Sequence, residues 1–324
     1  MRNTWPRLMA LILAALVAIL GSAAAQQANP RLQPSPFSLP DEVSARKATI
    51  WSEGSRLAAD IYVPKGATGK LPTIIMAHGW GGTAEQLRPE AAGFASAGYL
   101  VVLFDYRGWG ASDGRVILAG PKPSERARNR FTAEVVELRE IVDPLAEAAD
   151  LSNVVHWLQA EPQSDTGRIG IWGTSFGGGL AVYVAGHDRR VKAVHAQVVP
   201  LVLRGLDPLG YQDGTKRARG ELGYPEPGVV AVSGLPGAPI AENFLPYSPV
   251  QAMSLAPNCA IQIVLAAKEE LFDIRPIVTA YENFKGAQKN LVVIPEISHY
   301  DIYGKARAEA HQLALAWFDK HLKP

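Results

Sequence analysis

Six short, almost unbroken apolar runs, at residues 73–77, 99–104, 169–172, 191–199, 261–266 and 291–294, constrain this chain more than any other feature of it. A strand with one face in water alternates apolar and polar residues, whereas a strand that is apolar throughout must be covered on both faces. The runs therefore predict a parallel sheet between layers of helix. The intervening stretches fit: 134–141 and 151–158 carry apolar residues at helical spacing, with Asp150 as the expected N-cap of the second, and 306–322 reads as a closing amphipathic helix. Upstream, 48–63 reads as a hairpin turning at Ser52-Glu53-Gly54-Ser55, with Leu57, Ala59, Ile61 and Val63 on one face and Pro64 ending it. No internal repeat is visible. The expectation is one α/β domain over 47–324, with a mostly parallel, doubly wound central sheet and helices on both faces.

Two stretches break the alternation. Residues 114–130 are polar and basic; residues 200–257 are long, rich in Gly and Pro, and without a period. Loops of that length in a compact domain are commonly lids or binding insertions, so 200–257 is expected to be lid-like, with Tyr211, Tyr224, Phe244 and Tyr247 available to wall an apolar pocket.

The N-terminus reads as an export signal. Arg2 and Arg7 precede a continuous apolar run over 8–20, and the small residues Gly21-Ser22-Ala23-Ala24-Ala25 follow, which predicts cleavage after Ala25. Thirteen apolar residues are few for a bilayer core of about 30 Å at about 1.5 Å per residue, so no stable membrane insertion is expected after cleavage. Residues 26–46, with Pro30, Pro34, Pro36 and Pro40, suit an extended tether. A periplasmic or secreted bacterial protein follows as the expected localisation. Cys259, the single cysteine, would survive there as a buried, inert thiol. Over the whole chain 32 basic residues face 31 acidic ones; without Arg2 and Arg7 the count is 30 against 31, a net charge of −1. That balance argues against nucleic acid and favours a small neutral or amphiphilic partner. Oligomeric state is not legible, and no metal or organic cofactor is implied.

The chemistry gathers at strand ends. Ile169-Gly170-Ile171-Trp172 runs into Gly173-Thr174-Ser175-Phe176-Gly177, and an apolar helical stretch follows. This is G-x-S-x-G in its required context of strand, sharp turn and helix, where the turn lifts the Ser175 hydroxyl clear of the sheet and glycines at 173 and 177 relieve the crowding. The N–H of Phe176, at the positive end of the helix, is then placed to donate to an oxyanion. A second donor is expected from His78-Gly79-Trp80-Gly81-Gly82 after the 73–77 run, and the Trp80 N–H is the choice; His78 itself reads as a brace for the loop.

From residue 48 to the C-terminus the chain resembles the α/β-hydrolase superfamily. Leu57-Ala58-Ala59-Asp60-Ile61-Tyr62-Val63-Pro64, the His78-Gly79 loop and Phe104-Asp105-Tyr106-Arg107-Gly108-Trp109-Gly110-Ala111-Ser112 are similar to the dienelactone hydrolase-like and X-Pro dipeptidyl-peptidase-like branch. The resemblance implies serine-dependent cleavage of esters or, less often, amides, and an architectural role for the stretch holding Asp105 and Arg107. In this fold the order is nucleophile, acid, histidine. Of the histidines near the C-terminus, His311 and His321 fall in the closing helix and are expected at its surface, whereas His299 follows the last strand and can be aimed back at Ser175 as the base.

The acid stays open among three residues. Relatives carry a glycine at the strand end with the acid three residues later; placing Ala266 there selects Glu269, a shift of one selects Glu270, and a longer loop selects Asp273. Glu serves as well as Asp, since the task is to fix the imidazole tautomer and stabilise its cation. The expectation is an exported serine hydrolase acting on a small-molecule carboxylic ester. A peptidase or amidase with the same residues, and a non-catalytic hydrolase-like binding protein, are the alternatives.

Overall fold

The computed structural model describes residues 36–124, 130–203, 206–232 and 234–323. The expected signal peptide and residues 26–35 of the tether lie outside the described residues, and the end of the expected tether, from Val43, already belongs to the first strand.

Eight strands form the central sheet: β1 (Val43–Ser52), β2 (Ser55–Pro64), β3 (Leu71–Ala77), β4 (Leu100–Phe104), β5 (Ser164–Thr174), β6 (Val191–Gln197), β7 (Ala260–Ala266) and β8 (Lys289–Ile294). Their order is β1-β2-β4-β3-β5-β6-β7-β8. The β1/β2 hairpin and the β2/β4 pairing are antiparallel, and every other neighbour is parallel. The apolar runs are explained by how β4 divides its side chains. Leu100, Val102 and Phe104 enter one core layer with Leu151 and Leu180, while Val101 and Leu103 enter the other with Phe94 and Phe318. Helices α2 (Pro144–Trp157) and α3 (Phe176–His187) cover the first face, and α1 (Arg88–Ser96) and α8 (Arg307–Leu322) the second.

Two local expectations are corrected. The stretch 134–141 is not a helix: Val135–Leu138 pairs antiparallel with Arg115–Leu118, and Ile141–Val142 forms a further short strand. The β-branched pair Val135-Val136 prefers extended backbone, and a partner strand supplied by the basic stretch lets that preference win over the weak helical spacing. Nor does Asp150 cap α2. The helix begins about two turns earlier at Pro144, where Asp143 accepts from the N–H groups of Leu145 (3.1 Å) and Ala146 (3.2 Å). Asp150 is instead wholly buried on the inner side of α2 and receives Arg107.

The aperiodic stretch 200–257 carries α4 (Asp207–Ala218), α5 (Ala241–Phe244) and α6 (Pro249–Ser254) with two-residue and three-residue strands between them. One of these, Ala238–Pro239, pairs parallel with Ile141–Val142 and so ties the insertion to the body. After β7 the chain forms α7 (Arg275–Asn283). No helix among the described residues is long and apolar enough to cross a membrane. Cys259 is buried, and burial pushes its thiol up to about 12, which keeps it protonated.

Candidate active site

Ser175 stands between β5 and α3 with φ 51° and ψ −126°, backbone that a non-glycine residue adopts only when its surroundings hold it there. What holds it is hydrogen bonding on both sides: the Ser175 N–H donates to Gln197 O on β6 (2.8 Å), and Ser175 O accepts from the Gly178 N–H (2.9 Å). Glycine at 177 is obligatory, since a Cβ there would collide with the backbone of Ala77 and His78, and one on Gly173 would collide with Gly177. The hydroxyl reaches His299 Nε2 at 3.1 Å. His299 opens a 3-10 turn, His299–Tyr303, that Ser298 caps and Asp301 closes by accepting the Ser298 N–H (2.8 Å).

The three candidate acids separate cleanly. Both carboxylate oxygens of Glu269 lie on His299 Nδ1, at 3.0 and 2.9 Å, and Oε1 also accepts from the Leu271 N–H at 3.0 Å. Those partners fix the tautomer: Nδ1 carries the proton toward Glu269 and Nε2 accepts from Ser175. Glu270 bonds the backbone instead, accepting the His299 N–H at 2.7 Å. Asp273 turns outward to the guanidinium of Arg275 (2.7 Å). The glutamate and the imidazole are each about 97% shielded from water, so their interaction is little screened.

The His78–Gly82 loop closes the other side. The Gly79 backbone comes against the Ser175 side chain, leaving 3.2 Å between Ser175 Cβ and a Cβ built on Gly79. Gly81 takes φ +67°, with Pro236 pressed against it. The Trp80 indole N–H donates to Gly237 O (3.2 Å), and its ring packs on Phe176 and Phe244. The Phe176 N–H, first in α3, is among the N–H groups a helix leaves without an internal partner. His78 is buried against Tyr106 with Nδ1–H donating to Gly79 O (3.0 Å); burial holds its pKa down, as befits a neutral brace. Asp105 braces from behind, accepting the N–H groups of Ala84 (2.7 Å) and Ala111 (3.0 Å). Arg107 grips buried Asp150 through Nε (2.9 Å) and Nη2 (2.6 Å) and also bonds Glu53 and Ser52.

A cavity of about 210 Å³ opens beside Ser175, walled by Leu203, Leu206 and Leu235 of the insertion and by Leu271 and Phe272. The insertion therefore does reach the site, but not with the expected aromatics. Phe244 and Tyr247 pack behind Phe176, Tyr211 is exposed, and Tyr224 stacks with Arg115 and Arg217 away from Ser175. His311 and His321 are half-buried rather than surface residues, each tilted on a neighbouring aromatic ring, Phe94 and Trp317. Sequence reasoning missed Gln197, whose carbonyl holds the turn, and the chain Gln197–Thr174–Tyr303, in which Thr174 Oγ1 meets the Tyr303 hydroxyl at 2.8 Å. The only signal was the polar Gln inside an apolar strand. Among the described residues no group of three or more His, Cys, Asp or Glu side chains could hold a metal ion.

The sheet order, the serine on the strand-to-helix turn after β5 and the histidine after the last strand decide the class. The chain has the α/β-hydrolase fold. The crystal structure of the α/β-hydrolase GrgF from Penicillium superposes on this chain with a TM-score of 0.66 at 20% identity, covering 86% of this chain and 99% of that one. A dienelactone hydrolase from Anabaena variabilis gives 0.52 at 20% identity, covering 87% and 100%. Residues 53–204 match the profile of the X-Pro dipeptidyl-peptidase (S15) family. An Escherichia coli protein, the "uncharacterized 31.7 kDa protein in traX-finO intergenic region", is 28% identical over 84% of this chain and 97% of its own.

Proposed function

We propose that this α/β-hydrolase is an exported serine hydrolase that cleaves carboxylic esters through an acyl-enzyme. The observation that carries the proposal is the unbroken line from Ser175 Oγ through His299 to Glu269, each link at hydrogen-bond distance. In attack, Ser175 Oγ bonds to the substrate carbonyl carbon while His299 Nε2 takes the hydroxyl proton. Glu269 stabilises the imidazolium that forms. The N–H groups of Phe176 and Trp80 receive the oxyanion. His299 then gives its proton to the departing alkoxide, and the cycle repeats with water as nucleophile to release the acid. The aliphatic walls of the 210 Å³ cavity suit an apolar acyl or alkyl group. The N-terminal signal supports action outside the cytoplasm.

The S15 profile match favours a second reading, an aminopeptidase-like amidase using the same residues. Recognition of a peptide's free amine calls for a carboxylate in the pocket, and among the described residues the walls of the cavity beside Ser175 supply none, which favours the ester. One experiment tests both: labelling by a fluorophosphonate probe, abolished in Ser175→Ala, with turnover of p-nitrophenyl acyl esters compared against aminoacyl-proline anilides. Folded wild-type protein that neither labels nor turns over an ester would overturn the proposal, and preference for the anilides would select the second reading.

A further inference from the structure

The cavity beside Ser175, about 210 Å³, is smaller than the several hundred Å³ of a site that encloses a whole organic ligand. A second space of about 630 Å³ lies between α6 and α7. Val202 lines both spaces. Phe272 lines the first and the next residue, Asp273, lines the second. The Phe272 ring also meets His299 edge-on at 5.7 Å, so the connection starts at the catalytic centre. The second space is lined largely by aliphatic and aromatic groups, Val250, Met253, Ala280 and Phe284 among them. Its charged residues, Asp273 and Arg275, pair with each other at 2.7 Å. Such a surface offers an ionic ligand little, and desolvating an ion there would cost more than it returned.

We infer that the two spaces form one tract for an ester with a long aliphatic chain, whose carbonyl reacts at Ser175 and whose tail passes Val202 into the α6–α7 groove. This rests on the serine-esterase reading above. Together the spaces reach the size range of a complete ligand site, and Leu203 and Leu206 of the insertion give the first of them aliphatic walls.

The test is a chain-length series in two arms below the micellar concentration, p-nitrophenyl esters from acetate to laurate and alkyl acetates from ethyl to dodecyl. In one arm kcat/KM rises with length, by up to about fourfold per methylene buried. The arm that responds tells whether the acyl or the alkyl chain occupies the tract. Val202→Trp obstructs the junction and Thr279→Trp, on the exposed side of α7, obstructs the groove far from Ser175. Each lowers the ratio of long-chain to short-chain kcat/KM by about tenfold or more, the loss of two or more buried methylenes. An unchanged ratio in both variants, each melting cooperatively, overturns the inference. Wild-type turnover of acetate with no gain along either arm also overturns it while leaving the esterase reading intact; no turnover of any ester overturns both.

Discussion

Exchanging Glu269 for Gln keeps the shape of the side chain and removes its charge, which isolates the electrostatic part of its proposed task. Both carboxylate oxygens stand about 3 Å from His299 Nδ1, and neither partner is wetted appreciably. At an effective dielectric of about 20, unit charges that close attract by about 5 kcal/mol, and each 1.4 kcal/mol off a barrier is a factor of ten. When His299 takes the Ser175 proton, that attraction stabilises the transition state, so Glu269→Gln is expected to lower kcat by about three to four powers of ten. Glu270→Gln is the matched control. Glu270 is exposed and bonds only the His299 backbone N–H at 2.7 Å, and the amide oxygen of Gln still accepts there, so the loss should stay within about tenfold. The assay is steady-state hydrolysis of p-nitrophenyl acetate, with thermal melts to show that both variants fold. A collapse in Glu270→Gln with near-normal turnover in Glu269→Gln would refute the assignment and make the backbone contact the one that orients the ring.

Two further expectations concern stability. Burial holds His195 at a pKa of about 4 against an ordinary 6.5, despite hydrogen bonds to Gln262 (2.7 Å) and Gln197 (3.4 Å) that favour its charged form. The unfolded chain then binds more protons across that window, so the contribution of neutral His195 is complete above about pH 6.5 and is lost as pH falls to about 4, a total of about 3 kcal/mol. Urea unfolding at pH 7 and pH 4 should show that loss in the wild type and not in His195→Gln; equal acid sensitivity would count against it. Arg107→Met strands the fully buried Asp150 carboxylate and should cost about 3–5 kcal/mol in the same assay, most of it recovered when Asp150→Leu is added. A second substitution that only worsened the first would point to packing instead.

What could be read from the sequence was whatever local chemistry determines. The strands announce themselves because both faces are covered, as Val101 and Val102 show by pointing into opposite layers. The turn at Ser175 is legible because the chain must cross within van der Waals range of its neighbours, and only Gly173 and Gly177 permit it. The acid was not legible to a single residue: Glu269, Glu270 and Asp273 differ by the aim of one loop, and that aim is set by where β8 and the Ser298 cap deliver His299. Residues 134–141 misled because their apolar spacing suits either period and a distant segment, Arg115–Leu118, arbitrates. The insertion was opaque for the same reason. Leu203, Leu206 and Leu235 reach the cavity while Phe244 and Tyr247 serve as backing, and no periodicity encodes that division of labour.

The indole of Trp80 is bonded to Gly237 O, and Pro236 leans on Gly81. The segment that shapes the pocket and the loop that carries a proposed oxyanion donor are thus joined by direct contacts. If the Trp80 backbone N–H serves as proposed, remodelling 235–237 for a bulkier substrate would pull it out of register with the developing negative charge, and selectivity and speed would be geared together.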